Sequence, residues 1–277
     1  MYGTDANEQP QRMRHGYCNE TSRHGGVVSK RFTAPDAAAR AATEARALRA
    51  VYPLVPVPLI KSATDEEITC EFVAGTHGQD LLEPDTAARL LAECGRTLAA
   101  IHTVPTAAVE AGPHASGVLV HGDFGPQNVL FDPDSLTVTA VLDWEWAHIG
   151  QPVEDLAWCE WIVRTHHADC ADALPHLYHG YGMAMPPWPR RQAAMLGKCR
   201  AMRQFGARRQ DGTATLWQRR LAVTQAWRDL EFVALPHFLL RDGRGQSYEL
   251  LASGSATTGR PFLPLLGRRV RGPRPPA

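Results

Sequence analysis

VLVHGDFGPQNVLFD at residues 118–132 and VTAVLDWEW at residues 138–146 are the two stretches that decide the fold. Asp123 and Asn128 lie five residues apart, and Asp143 follows fifteen residues later at the end of an apolar run. This order and spacing are typical of a kinase catalytic loop followed by its metal-binding aspartate. A turn capped by an aspartate and an asparagine would explain Asp123 and Asn128 alone, but not the flanking apolar strands.

The residue types suit phosphoryl transfer, which needs a held acceptor hydroxyl and neutralised phosphate charge more than covalent work by the protein. We predict that the carboxylate of Asp123 orients the hydroxyl and takes its proton. The amide oxygen of Asn128 and the carboxylate of Asp143 are hard oxygen ligands of the kind that Mg²⁺ prefers. The sequence therefore predicts one catalytic residue and two metal ligands within this segment.

Lys30 and Glu44 form a second pair. Lys30 ends an apolar, strand-like run, and Glu44 lies on the alanine-rich helix predicted at residues 35–51. In kinases a lysine and a glutamate in these places hold the α- and β-phosphates of the nucleotide. A surface ion pair is the alternative interpretation. Only three of the 29 basic residues are lysines, which favours a functional role for Lys30.

Residues 16–26 predict a hairpin whose backbone N–H groups cover the phosphates, although a plain β-turn would explain them nearly as well. The turn-forming and polar residues of this segment are Gly16, Asn19, Thr21, Gly25 and Gly26. The chain has no G-x-x-x-x-G-K-[ST] motif, which excludes a P-loop. The D-F-G at residues 123–125 belongs to the catalytic loop and no A-P-E follows it, so a protein-kinase activation segment is not indicated.

The composition is that of a globular protein: 277 residues, 44% hydrophobic, 21% charged and a formal net charge of zero. It excludes a disordered polymer. The charge is unevenly distributed, because residues 76–156 carry a net −10 and residues 157–277 a net +10. No nucleic-acid module, secretion signal or run of about 18 apolar residues is recognisable, and the cysteines are scattered. We therefore predict a cytoplasmic protein with free thiols that binds neither nucleic acid nor membranes.

The order of elements predicts an α+β fold with two lobes. A small, strand-rich lobe would occupy residues 1–75, a larger and mainly helical lobe residues 76–253, and a disordered tail rich in arginine and proline residues 254–277.

Helical periodicity gives three further predictions. One helix from Thr86 would bury an apolar stripe with a period of 3.6 residues: Leu90, Cys94, Leu98 and Ile101. The last long helix would bury another stripe: Leu216, Val223, Trp227, Leu230 and Ala234. The basic run at residues 198–209 is predicted to form a solvated helix face.

The motifs together resemble the aminoglycoside phosphotransferase family, which shares its fold with choline kinases. The resemblance covers roughly residues 12 to 240 and rests on these segments, in order: GYCNET, VVSKRF, EFVAG, HGDFGPQNVLFD and AVLDWEWAHIGQPVEDLAW. It implies a two-lobed, protein-kinase-like fold with ATP and Mg²⁺ as cofactors and a small-molecule hydroxyl as acceptor.

The resemblance also implies a role for each matching residue. Asp123 corresponds to the catalytic base, and Asn128 and Asp143 to Mg²⁺ ligands. Lys30 corresponds to the phosphate lysine, with Glu44 as its partner. The nucleotide site is completed by the predicted hairpin, with Asn19 and Thr21, and by a hinge whose backbone reads adenine, from Glu71 to Val73. His121 and Asp155 correspond to structural supports of the loop.

Three departures from the family pattern bear on function. The short N-terminal segment predicts a missing or frayed first strand. Gln151 replaces the aspartate of the usual G-D-P. Residues 157–240 hold eleven basic and six acidic residues, whereas a polycationic aminoglycoside would prefer an acidic wall.

The predicted function is phosphorylation of a small-molecule hydroxyl, as in an aminoglycoside or macrolide. A metabolite kinase for an amino alcohol or sugar, and a nucleotide-binding regulator with weakened catalysis, are the alternatives.

Overall fold

The computed structural model describes residues 19–33, 35–52, 54–109 and 116–230, with the backbone of three short strands outside these ranges. The chain up to Asp229 forms one compact unit, and the chain from Leu230 onward forms another. The predicted tail lies outside the described residues, as does Gly16. The predicted lobe boundaries at residues 75 and 253 stay predictions.

A five-stranded antiparallel sheet forms the first lobe, in the order β1-β2-β3-β5-β4. Its strands are β1 (Gln11–Arg12), β2 (Glu20–His24), β3 (Val27–Arg31), β4 (Ile60–Ala63) and β5 (Glu67–Glu71). The predicted hairpin is formed by β2 and β3, and the first strand is present with two residues. The proline-rich segment before Ile60 stays outside the sheet, because proline cannot donate to a ladder. β4 accordingly begins after it and lies at the sheet edge.

Helix α1 (Ala37–Val51) covers one face of this sheet. Its small side chains Ala41 and Ala45 pack with Phe32 and Ile68 in a buried apolar cluster. Alanine favours the helix and lets it approach the strands closely. This packing fixes α1 beside β3, which carries Lys30.

The second lobe is mainly helical, which confirms the predicted α+β class with a small strand-rich lobe. Its helices are α2 (Gly78–Leu81), α3 (Pro84–Ile101), α4 (Pro152–His166), α5 (Leu174–Tyr181), α6 (Trp188–Arg209) and α7 (Thr213–Ala226), with short 3₁₀ turns at residues 106–108, 126–128 and 168–173. The predicted stripe of α3 is fully buried. None of the helices within the described ranges is long and apolar enough to span a lipid bilayer.

Short strands frame the motif that decides the fold. They are β6 (Thr76–His77), β7 (Val118–Val120), β8 (Val129–Phe131), β9 (Val138–Val141) and β10 (His148–Gly150). β6, β8 and β9 form one small sheet, and β7 pairs with β10 in another. The predicted catalytic loop therefore lies between β7 and β8, and Asp143 follows β9. In the second unit, β11 (Leu239–Arg241) pairs with β12 (Ser247–Glu249).

The predicted buried face of the last helix is wrong. α7 ends at Ala226, and Leu216 and Val223 are exposed, whereas Trp227 packs partly buried against the core and Ala234 lies outside the described residues. The buried residues of α7 are Trp217, Leu221 and Thr224, and two of them, Trp217 and Thr224, directly follow a residue of the predicted stripe. Thr224 belongs to the core because its hydroxyl accepts a hydrogen bond from the indole of Trp161 at 2.8 Å, a contact that apolar periodicity cannot register.

Candidate active site

The catalytic loop begins with a sharp turn at Gly122. Its φ is +81°, and a Cβ built there would lie 2.3 Å from the carbonyl oxygen of Trp146, so the position requires glycine. The buried carboxylate of Asp155 accepts the backbone N–H of His121 at 2.7 Å and that of Gly122 at 2.9 Å. It also contacts Nε2 of His102 at 3.2 Å. Burial opposes its charge, but these partners hold the pKa of Asp155 below its usual value. Asp155 thus anchors the loop from α4, in agreement with its predicted supporting role.

Asp123 is oriented through both of its carboxylate oxygens. Its Oδ1 accepts a hydrogen bond from Nε1 of Trp158 at 2.7 Å, and its Oδ2 accepts one from Nδ2 of Asn128 at 3.1 Å. Burial raises the pKa of Asp123 to about 6, although the charge of Lys198 opposes the rise. A carboxylate held in this way keeps free lone pairs that could accept a hydroxyl proton.

Asn128 and Asp143 are brought together by the backbone, because the N–H of Leu142 donates to the carbonyl oxygen of Asn128 at 2.8 Å. Asp143 follows directly, with a φ of +68° that is uncommon for a residue other than glycine. The Nδ2 of Asn128 also donates to the carbonyl oxygen of Asp123 at 2.9 Å. No donor to Oδ1 of Asn128 occurs among the described residues. A free amide oxygen beside a carboxylate is a donor set that fits Mg²⁺.

Lys30 makes the predicted ion pair, with its Nζ 2.6 Å from Oε2 of Glu44. The same ammonium contacts the carboxylate of Asp143 and lies 3.9 Å from Oε2 of Glu145. Burial works against the charge of Lys30, but the three carboxylates outweigh it and raise its pKa above the usual value. The predicted phosphate lysine is therefore joined directly to a predicted metal ligand of the other lobe.

Sequence reasoning missed a buried network around Glu145. Its Oε2 accepts hydrogen bonds from Nη1 of Arg40 at 2.6 Å and from Nδ2 of Asn19 at 2.8 Å. Arg40 also donates to Oδ1 of Asn19 at 3.2 Å. Arg40 lies one helical turn before Glu44, and Glu145 lies two residues after Asp143. Their positions next to predicted site residues could therefore have identified them from the sequence.

The remaining predicted nucleotide residues lie along the first lobe. Thr21 pairs with Lys30 across β2 and β3 and shares its face of the sheet. Glu71 ends β5, and the N–H of the following Phe72 donates to the carbonyl oxygen of Gly26 at 2.8 Å. The turn at Gly25 and Gly26, between β2 and β3, therefore lies beside the predicted hinge. It does not lie at the end of the hairpin that carries Lys30, where the phosphates are predicted to bind. The N–H of Val73 has no backbone acceptor within the described ranges.

Asn19 does not present a free amide, because both ends of its side chain bind Arg40 or Glu145. Its predicted contact with the nucleotide, like those of Thr21, Glu71 and Val73, stays a prediction.

Two tryptophans and a lysine lie beside Asp123. The Nζ of Lys198 on α6 is 4.8 Å from the ring centre of Trp146 and 5.8 Å from that of Trp158. The predicted solvated face at residues 198–209 is therefore wrong for Lys198, which is half-buried. Trp158 also stacks on Trp161 with ring centres 4.4 Å apart, so it belongs both to the core and to the site.

Two curated relatives match short parts of the chain. Human acyl-CoA dehydrogenase family member 11 is 54% identical over 39 residues, which are 14% of this chain and 5% of that protein. Viomycin phosphotransferase from Streptomyces vinaceus is 45% identical over 53 residues, which are 18% of each chain. The chain thus spans well under two thirds of the length of these relatives.

A solved structure matches most of the chain. The GDP complex of aminoglycoside 2'-phosphotransferase-IIIa superimposes with a TM-score of 0.62 at 14% identity, over 80% of this chain and 94% of that one. This likeness confirms the kinase-like fold.

The family comparison covers more than half of the sequence. The model of the phosphotransferase enzyme family matches residues 12–117 and 106–194, a span that holds Lys30, Asp123 and Asp143. This confirms the resemblance inferred from the motifs. The chain belongs to the phosphotransferase enzyme family.

Proposed function

We propose that this protein is a Mg²⁺-dependent phosphotransferase that moves the γ-phosphoryl group of ATP to a hydroxyl of a small molecule. The observation that carries the proposal is the convergence of Lys30 from the first lobe with Asp143, next to Asn128 and Asp123 of the second. Each of these side chains is held by partners within the protein. Pre-positioned groups of this kind are what phosphoryl transfer requires.

The chain's own residues have separate tasks in this reaction. Lys30, steadied by Glu44, would bind nucleotide phosphates. Asp143 and the amide oxygen of Asn128 would hold Mg²⁺, which when bound neutralises phosphate charge. Asp123 would accept the hydrogen bond of the acceptor hydroxyl, hold its oxygen toward the phosphoryl group and take its proton.

The nucleotide would lie beneath the first sheet, with its base at the hinge. Support comes from Thr21, which shares the Lys30 face, and from Val73, whose N–H lacks a backbone acceptor among the described residues. An acceptor atom of an adenine-type base could accept a hydrogen bond from that N–H, and the carbonyl oxygen of Glu71 would accept one from the amino group of the base. The similar structure bound to GDP supports nucleotide binding in this fold.

We propose an antibiotic such as an aminoglycoside or a macrolide as acceptor class, supported by the similarity to viomycin phosphotransferase. The excess of basic residues in the acceptor lobe favours keeping a metabolite kinase for an amino alcohol or sugar as the second candidate. We place the reaction in the cytoplasm, where ATP is available. The buried free thiols Cys94 and Cys159 are consistent with this location.

The decisive variant is Asp123→Asn, with Asp134→Asn as a matched control on an exposed turn of the same segment. We expect Asp123→Asn to lower turnover over an acceptor panel of aminoglycosides, macrolides and amino alcohols by about 10²–10⁴-fold. ATP affinity, measured by calorimetry, should stay close to that of the unmodified protein. Normal turnover by Asp123→Asn would refute the assignment, and ATP binding without turnover by the unmodified protein would favour the regulator alternative.

A further inference from the structure

Lys198 has surroundings that the proposed roles do not explain. It is half-buried, and its ammonium lies over the faces of Trp146 and Trp158. Burial lowers its pKa, although several carboxylates, Asp123 most strongly, attract its charge. In the part of the chain that the structure describes, Lys198 donates no hydrogen bond and has no carboxylate oxygen within 4.0 Å.

Three other buried cations among the described residues are each matched by a contacting carboxylate. Lys30 contacts Glu44, Arg40 contacts Glu145 at 2.6 Å, and Arg191 contacts Glu160 at 2.6 Å. Removing an ammonium from water without such a partner costs free energy that two aromatic faces return only in part. An anion in contact with the ammonium of Lys198 would supply the partner that this group lacks among the described residues.

The position of Lys198 indicates where that anion would lie. The ring of Trp158 lies near the ammonium of Lys198, and the indole Nε1 of the same tryptophan donates a hydrogen bond to Oδ1 of Asp123 at 2.7 Å. Lys198 therefore borders the same side chain that would hold the acceptor hydroxyl. Helix α6, which carries it, has seven basic residues and no acidic one. The ammonium of Lys198 would attract an oxyanion and oppose an amine of a cationic acceptor, against the negative charge of four carboxylates nearby, those of Asp123, Asp155, Glu145 and Asp143.

We propose that Lys198, with the ring faces of Trp146 and Trp158, forms an oxyanion subsite beside Asp123. The inference rests on the proposed phosphotransferase function and specifies the chemistry at its acceptor side. The oxyanion has two possible sources: the phosphoryl group in transfer, or a carboxylate or phosphate of the acceptor next to its reacting hydroxyl. Both would bind the ammonium by a charge-assisted hydrogen bond.

Binding of inorganic phosphate tests the subsite without requiring turnover. Phosphate is titrated in calorimetry and in tryptophan fluorescence, since two indoles flank Lys198. The variants are Lys198→Met, Lys198→Arg and the control Arg200→Met, whose side chain is exposed on the same helix. We expect phosphate to bind about tenfold or more weakly to Lys198→Met, and nearly unchanged to the other two. Equal binding by Lys198→Met, or no binding by the unmodified protein, would overturn the proposal.

Two kinetic measurements then separate the sources. If the subsite holds the phosphoryl group, Lys198→Met slows ATP hydrolysis to water by about tenfold or more, with KM for ATP little changed. If it holds an acid group of the acceptor, ATP hydrolysis is unaffected, and KM rises for hydroxy acids such as glycerate but not for glycerol.

Failure of the proposed function gives a different result. ATP hydrolysis would then be absent from the unmodified protein or retained by Asp123→Asn, while phosphate binding would still depend on Lys198. Thermal unfolding of each variant shows whether it is folded. Lys198→Arg, which keeps the charge, should restore what Lys198→Met loses.

Discussion

Asp123 combines two properties that a general base needs at neutral pH. Donors on both carboxylate oxygens fix its direction, and burial brings its pKa to about 6, between the usual aspartate value and neutrality. The donors come from different elements, Trp158 on α4 and Asn128 at the end of its own loop. The direction of its carboxylate is therefore set from two elements, and one of the two donors, Asn128, is also a predicted metal ligand.

The raised pKa of Asp123 predicts an acid limb in the pH profile. A carboxyl group with a raised pKa takes up its proton earlier as the pH falls, so the base is lost below about pH 6. We expect kcat/KM to be level near neutrality and to fall about tenfold per pH unit below this value. The measurement is kcat/KM against pH at constant free Mg²⁺, with unfolding followed at each pH. A midpoint near the ordinary aspartate pKa of 3.8 would contradict it.

At the scale of elements, three segments meet at the network of Arg40, Glu145 and Asn19. They are α1, the segment after β9 and the start of β2. Arg40 and Glu145 are at most 5% exposed. The pair therefore ties the helix carrying Glu44 to the segment carrying Asp143. The ion pairs of Lys30 depend on that alignment.

This tie predicts strong coupling between the two residues. Arg40→Met or Glu145→Gln alone leaves a buried charge without its partner, at a cost of about 3–5 kcal/mol in the free energy of unfolding. The double variant removes both charges and should cost less than the sum of the singles by about 1–3 kcal/mol. Urea unfolding of the four proteins measures this coupling. Additive costs would show that the two side chains act independently.

The sequence predicted the parts of the site that lie in short motifs. Asp123, Asn128 and Asp143 are close along the chain, and Lys30 and Glu44 lie on adjacent elements with clear patterns. The network of Arg40 and Glu145 joins residues 105 positions apart. Only the folded chain shows that these two charged side chains are buried in contact with each other.

Two other errors have the same origin in packing. The α7 face was misplaced because Thr224 is buried through a hydrogen bond and not through apolarity. Lys198 was assigned to a solvated face because a charged helical pattern does not reveal tryptophans supplied by other segments. In each case a polar residue is buried against a partner that lies elsewhere in the sequence.

At the scale of the whole molecule, α3 and α5 approach each other through glycines. A Cβ at Gly95 would lie 2.1 Å from the carbonyl oxygen of Leu177, and one at Gly180 would lie 2.1 Å from that of Ala92. Both obstacles are backbone atoms and cannot rotate away. This crossing also positions Tyr181, whose hydroxyl contacts Nδ1 of His102 at 2.9 Å.

This close crossing predicts that substitution of glycine by alanine has opposite effects on protein stability at two helical positions. Gly95→Ala should destabilise the protein by about 1–3 kcal/mol or more, because the helices must move apart. Gly197→Ala on α6 meets nothing within 4 Å and should stabilise it by about 0.5–1 kcal/mol through helix propensity. Thermal unfolding compares the two variants. A stabilising Gly95→Ala would mean that the helices are farther apart than described.

The charge distribution also has meaning at this scale. The net negative segment at residues 76–156 contains Asp123 and Asp143, and the net positive part of the chain contains α6. Helix α6 reaches the first lobe, where Arg208 contacts Asp36 at 2.8 Å. The zero total charge therefore combines a negative segment that contains the proposed metal centre with a positive part of the chain that contains α6.

The left-handed backbone of Asp143 has a consequence for evolution in the laboratory. Glycine adopts that conformation at lower cost, but it would also remove a carboxylate that contacts Lys30. Where relief of the backbone outweighs the lost ion pair, selection for thermostability alone would replace Asp143 and remove a ligand of the proposed Mg²⁺ site. Directed evolution of this protein should therefore couple every round of stability screening to a requirement for the proposed turnover.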